Sequence, residues 1–220
     1  HDRIIDAAGK TLLVCGNAMI SGEHGFYLSV ETKEQAHHII AEIAYTIRKA
    51  AKPRITATLI KDFYKKESMP SNVLSQFGYH LFSAGPNMVV PIRKSWTTFD
   101  AYLGEMKPKY RRRAIKTVKK GSKIRRQTLT LEDVVQYQED IFKLYCEVVI
   151  KAKFKMFFLS PGYFTSLKKH LKDNFECIGY FLDNSLIGFT TRIISNAVME
   201  GYTHGLLYNY NKKYELYQNI

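Results

Sequence analysis

Glu200, Tyr202 and His204 occupy alternate positions in the segment from Ala197 to Tyr208, which reads as a strand. Alternate side chains of a regular strand share a face, so this spacing sets a carboxylate, a phenol and an imidazole side by side. Glu200 or His204 can take a proton from an ammonium group, directly or through water, and Tyr202 can act as acid or positioning group. That is the proton traffic of acyl transfer to an amine, a reaction that also needs donors for a tetrahedral oxyanion. The same pattern also suits a polar sheet face with ordinary cross-strand pairs.

A second stretch carries charge. Residues 107–126, KPKYRRRAIKTVKKGSKIRR, hold eleven basic side chains and no acid, so that of a net charge of +13 only +2 belongs to the rest of the chain. Arg112, Lys116, Lys119, Lys120 and Lys123 recur at i, i+4, i+7, i+8 and i+11, while Tyr110, Ala114 and Val118 are spaced by four. The spacing predicts an amphipathic helix with a cationic stripe, unless Gly121 and Ser122 end it early and Lys123 to Arg126 begin a strand. A helix face shaped only for stability would interleave glutamates for i, i+4 pairing. Their absence points to an anionic partner: the phosphates of a small donor, a tRNA backbone or an anionic membrane surface.

The elements that must position these residues follow from pattern. Thr11 to Ile20 reads as a strand, then SGEHGF as a glycine-bounded loop containing Glu23 and His24. A long helix follows, with Ala36, Ile39, Ile40, Ile43, Ala44 and Ile47 on one face and Thr32 with Gln35 as a capping box. Its His37 and His38 lie near the polar-to-apolar boundary, show no metal-ligand spacing, and read as surface and core residues. Arg54 to Phe63 reads as a strand, Ser71 to Phe77 as a short helix, and Tyr79 to Ile92 as extended chain interrupted at Gly85-Pro86. Thr130 and Asp133 cap a helix carrying Ile141, Leu144, Tyr145 and Val148, and Ser160-Pro161 opens another. Cys177 to Leu182 and Leu186 to Ile194 flank Asp183-Asn184-Ser185 as a hairpin, and a helix begins near Asn211. The fold class expected is therefore α/β of the α+β kind.

The order helix, helix, hairpin, third strand, helix, together with YLGEMKPKYRRRAIKTVKK and VMEGYTHGLLYNYNKKYELYQNI, resembles the Fem-like branch of the GNAT-type acyl-CoA N-acyltransferases. The resemblance implies a mixed, mostly antiparallel sheet flanked by helices and parts of two tandem GNAT-like units. These would be residues 1–99 from the C-terminal half of a first unit, a basic linking helix over 100–126, and residues 127–220 from the N-terminal half of a second. It implies an acyl or aminoacyl donor, acyl-CoA or aminoacyl-tRNA, and an amine acceptor that is a small molecule or a cell-wall precursor. Leu207, Tyr208, Asn211, Lys212, Lys213 and Tyr214 then become the donor-binding residues. The glycine-rich phosphate cradle of ordinary members is replaced by Tyr210-Asn211-Lys212-Lys213-Tyr214, where amides at a helix start and two lysines would hold the phosphates. The alternative is a non-catalytic module of the same fold that binds nucleic acid or another polyanion through the basic helix.

Three cysteines, Cys15, Cys146 and Cys177, lie far apart in apolar surroundings, which argues against a disulfide framework and a structural zinc site. No apolar run reaches the ~20 residues of a membrane helix and no leader is visible, so a cytoplasmic protein is expected.

Overall fold

The computed structural model describes residues 11–22, 25, 29, 33–52, 54–63, 71–83, 87–152 and 158–220. The fold is mixed α+β, and the chain divides into two compact units, His1–Val89 and Val90–Ile220. Glu23, His24 and Thr32, and with Thr32 the first expected capping box, lie outside the described residues.

In the first unit, strand β1 (Leu12–Cys15) pairs in parallel with β2 (Ala57–Ile60), with helix α1 (Lys33–Ala50) between them in sequence. Both strands are shorter than the alternation predicts. After Cys15 the chain passes through Gly16 at φ 140°, and Asn17 Oδ1 accepts from the amides of Met19 (2.9 Å) and Ile20 (3.2 Å), closing a turn where more strand was expected. Beyond β2, Lys61 Nζ donates to the carbonyls of Asn17 (2.8 Å) and Ile20 (2.9 Å) and pairs with the carboxylate of Asp62, whose φ is 72°. Ala36, Ile40 and Ala44 of α1 are buried, as their spacing requires, whereas Ile43 and Ile47 are exposed. His37 is buried and His38 exposed. Helix α2 (Ser71–Gln76) follows. The described residues between Tyr79 and Ile92 lie outside any sheet, and Leu81, Met88, Val89 and Ile92 are exposed.

The second unit opens with α3 (Phe99–Glu105), capped by Thr98 Oγ1 accepting from the Ala101 amide. Then comes α4 (Pro108–Lys120), with Pro108 in its first turn where a missing N–H costs nothing. Strand β3 (Arg125–Thr128) leads to α5 (Leu131–Gln136), α6 (Gln138–Lys151) and α7 (Tyr163–Leu171). The Thr130–Asp133 capping box is formed. The single helix expected after it is broken at Tyr137 into α5 and α6. Strands β4 (Phe175–Leu182), β5 (Ser185–Ser195) and β6 (Val198–Leu206) then complete an antiparallel sheet in the order β3-β4-β5-β6. The β4–β5 turn is Asp183-Asn184, with φ 49° and 65°, the left-handed pair that a two-residue hairpin of matching twist demands. Helices α8 (Tyr208–Tyr214) and α9 (Leu216–Asn219) end the chain.

The sheet is buried on both faces. Phe175, Cys177 and Phe189 point to the side of α6 and α7, where Phe164 packs edge-on against Phe189 at 5.2 Å between ring centroids. Cys177 is fully enclosed there, and burial pushes its thiol up to about 12. Ile178, Tyr180 and Leu206 point to the other side, where Tyr214 of α8 and Leu216 of α9 cover them.

Candidate functional site

Strand β6 is bulged where its chemistry lies. Thr190 faces His204 and Arg192 faces Gly201, so the one residue Thr191 stands opposite the two residues Tyr202 and Thr203. The side chain of Thr191 fills the gap in the ladder. Its Oγ1 donates to the Thr203 carbonyl (2.9 Å) and accepts from the Thr203 amide (3.0 Å), and the residue is completely buried. A hydroxyl, being donor and acceptor at once, can replace the two ladder bonds that an extra residue interrupts.

The bulge changes which side chains meet. Facing residues of an antiparallel pair point the same way, and Thr190 and Ile193, three apart on β5, point oppositely. Glu200, which faces Ile193, therefore lies on the opposite face from His204, which faces Thr190. The expected single face is corrected accordingly: Glu200 and Tyr202 project toward α6 and α7, and His204 projects toward α9. Contacts agree with this. The Tyr202 hydroxyl shares a short hydrogen bond with the Tyr163 hydroxyl of α7, the two rings stacked at 6.5 Å, while His204 packs against Tyr217 of α9 at 5.7 Å.

Burial shifts Tyr202 and His204 in opposite directions. Burial, and next the hydrogen bond to Tyr163, raise the Tyr202 phenol well above its ordinary value, so it keeps its proton at any physiological pH. Burial lowers the His204 imidazole, which is neutral at pH 7 and able to accept a proton. The arrangement on the α7 side is thus a carboxylate beside a protonated phenol that shares its hydrogen bond with a second phenol.

The donor-binding residues are placed differently from expectation. Helix α8 begins at Tyr208, three residues before Asn211, so Lys212 and Lys213 fall in its last turn instead of its first. There they complement the negative end of the helix, and they do not surround its free amides. Asn211 Oδ1 accepts from the Tyr217 amide (2.9 Å), which ties α8 to α9, and Tyr214 is in the core. Leu207 is the residue before the helix, its amide donating to Ile187 O (3.0 Å), and the Tyr208 ring lies 3.8 Å under Lys151 Nζ. Leu207, Asn211 and Tyr214 thus tie α8 to β5, to α9 and to the core respectively, and the helix start expected at Asn211 lies at Tyr208.

The basic segment splits into a docked face and an exposed one. Thr117, only 6% exposed, donates through Oγ1 to Glu215 Oε2 (2.6 Å), and Lys120 Nζ reaches Glu215 Oε1 (2.6 Å). Asn219 Nδ2 donates to the Thr117 carbonyl (3.1 Å), and Glu215 itself sits at φ 47° in the turn between α8 and α9. Hydrogen bonds from Lys120 and Thr117 hold the Glu215 carboxyl below the usual carboxylate range. Lys120 therefore belongs to the docking face, and Lys123 lies in the turn after the helix, since α4 ends at Lys120. Arg112, Lys116 and Lys119 are exposed, as is Lys109; Lys116 lies near enough to Glu215 for its charge to help hold that carboxyl low, and among the described residues no ion pair joins Arg112, Lys119 or Lys109 to an acid. Tyr110 and Val118, spaced as a buried row, are instead 56% and 49% exposed. The face that docks is chosen by the Glu215 contact, at Thr117.

Sequence reasoning missed Tyr163, Thr191 and Glu215. A tyrosine and a threonine have many roles, and only the register assigns these two. No family model matches the chain, and no curated protein matches it in sequence. Among the described residues there is no group of three or more His, Cys, Asp or Glu able to hold a metal ion, and no helix long and apolar enough to cross a membrane.

Proposed function

We propose that the second unit is an N-acyltransferase of the GNAT type, Fem-like branch, moving an acyl or aminoacyl group from a thioester or aminoacyl-tRNA to an amine. The observation that carries this reading is the bulge at Tyr202–Thr203, in the last strand of an antiparallel meander that runs directly into a helix. Bulges re-aim side chains and concentrate beside active sites. Here the re-aiming leaves Glu200 next to Tyr202 and removes His204 to the other face. In the proposed step the amine nitrogen attacks the donor carbonyl and Glu200 accepts the proton it sheds. Tyr202, protonated and oriented by Tyr163, donates a hydrogen bond to the oxyanion; on collapse the C–S or C–O bond breaks and the proton taken up by Glu200 passes to the departing sulfur or ribose oxygen.

Titration of acyl-CoA against aminoacyl-tRNA identifies the donor class, with transfer to a panel of amines as the assay. Glu200→Gln removes the proton acceptor at nearly constant shape, so turnover should fall by about 10²-fold or more while the donor KM holds. An unchanged rate would remove Glu200 from the step.

A second reading is favoured by the exposed cations of α4: a non-catalytic module that binds a polyanion. It predicts salt-sensitive binding through Arg112, Lys116 and Lys119 with no transfer to any amine.

A further inference from the structure

The exposed side of α4 is not uniformly cationic. Successive residues of a helix turn by about 100°. Taking Thr117 as the centre of the docked face, Val118 lies a quarter-turn to one side, Arg111 just beyond it with its guanidinium directed at the Gly104 carbonyl (3.5 Å), Ile115 nearly opposite, and then Lys119, Arg112, Lys116 and Lys109 follow around the helix. Ile115 is 51% and Val118 49% exposed. An outward face that joins a cationic stripe to an aliphatic ridge needs a partner with both chemistries. A nucleic-acid strand supplies phosphates for the cations and bases to stack on aromatic rings, and leaves an isoleucine and a valine in water. The interface of an anionic bilayer takes all of these side chains: headgroup phosphates meet the lysines and arginines, and the boundary of the acyl region takes the aliphatic ones.

We infer that the outward face of α4 docks on an anionic lipid surface, the helix lying in the plane of the interface with Ile115 and Val118 at the acyl boundary and Lys109, Arg112, Lys116 and Lys119 against headgroups. The helix presents this face because its opposite side is fixed by Thr117, Lys120 and Asn219 to the α8–α9 turn. The inference rests on α4 being an anion-binding face and is independent of acyl transfer. A chain that binds vesicles and transfers nothing retains it.

The test is co-sedimentation of the full chain with phosphatidylcholine vesicles, with and without phosphatidylglycerol at about one lipid in three. Binding is expected only to the anionic vesicles. At about 1 kcal/mol per cation near such a surface, Lys116→Gln with Lys119→Gln should weaken it about 30-fold. Ile115→Ser with Val118→Ser should weaken it about tenfold or more at unchanged charge. Unchanged far-ultraviolet dichroism and melting temperature keep both results interpretable, since all four side chains are exposed. If the chain ignores anionic vesicles but binds single-stranded RNA, with affinity lost in the lysine variant and kept in the aliphatic one, the lipid assignment is overturned and the anion-binding face stands. If it binds neither, both are overturned.

Discussion

At the scale of single residues, two glycines of β6 test the sheet in opposite ways. A Cβ at position 205 would lie 2.5 Å from the carbonyl carbon of Leu144 and 2.5 Å from the Phe189 ring, so the α6 backbone approaches the strand where only hydrogen fits. Backbone cannot step aside as a flexible side chain can, and Gly205→Ala should cost about 1–3 kcal/mol by overpacking. Position 201, immediately before the bulge, has nothing within 4 Å of its Cβ direction, and Gly201→Ala should stay within about 0.5 kcal/mol of the parent. Chemical denaturation of the pair checks this, and equal losses would mean that α6 does not lie where the packing of β6 requires. Tyr202 depends on the same geometry: without the extra residue that Thr191 accommodates, every side chain from His204 onward would exchange faces.

At the scale of elements, the clasp between α4 and the α8–α9 turn is electrostatic and so depends on pH. The Glu215 carboxyl is held below its ordinary value by Lys120 and Thr117, which means the folded state favours the ionised form. Its contribution is present above the carboxylate range and fades as pH falls below about 4. Glu215→Gln should therefore lower the melting temperature at pH 7, with a deficit that shrinks as pH falls through the acidic range, measured by thermal melts; a constant deficit would show that the loss is steric. The elements themselves were largely legible in the sequence: α1, α4, α6, α7 and the Asp183-Asn184 hairpin follow from period and turn residues. What was not legible has physical causes. A bulge leaves an alternating pattern unbroken on either side, so Glu200, Tyr202 and His204 look aligned although the register turns His204 away. Helix α8 starts without a side-chain cap, which is why Asn211 looked like its beginning and Lys212 and Lys213 like its first turn. Lys120 could not be told from its neighbours on α4, because its partner Glu215 is 95 residues away.

At the scale of the molecule, the chemistry gathers in the second unit. The bulge, the tyrosine pair and the cationic helix all lie within Val90–Ile220, whereas the first unit is a parallel strand pair with one long helix. The three cysteines are divided between them: half-buried Cys15 on β1 of the first unit, half-buried Cys146 on α6 and fully buried Cys177 on β4 of the second. A thiol held at about 12 is ionised in about one molecule in 10⁵ at pH 7, and an enclosed one meets no reagent at all, so Cys177 alkylates only when its sheet opens. Gly205→Ala should speed iodoacetamide labelling of Cys177 by about tenfold per 1.4 kcal/mol of stability lost and leave the Cys15 rate unchanged, read by mass spectrometry of the two peptides. Parallel acceleration of both would show that the units open as one. The native thiols thus act as separate clocks for the two halves of the chain, and they need no probe to be introduced.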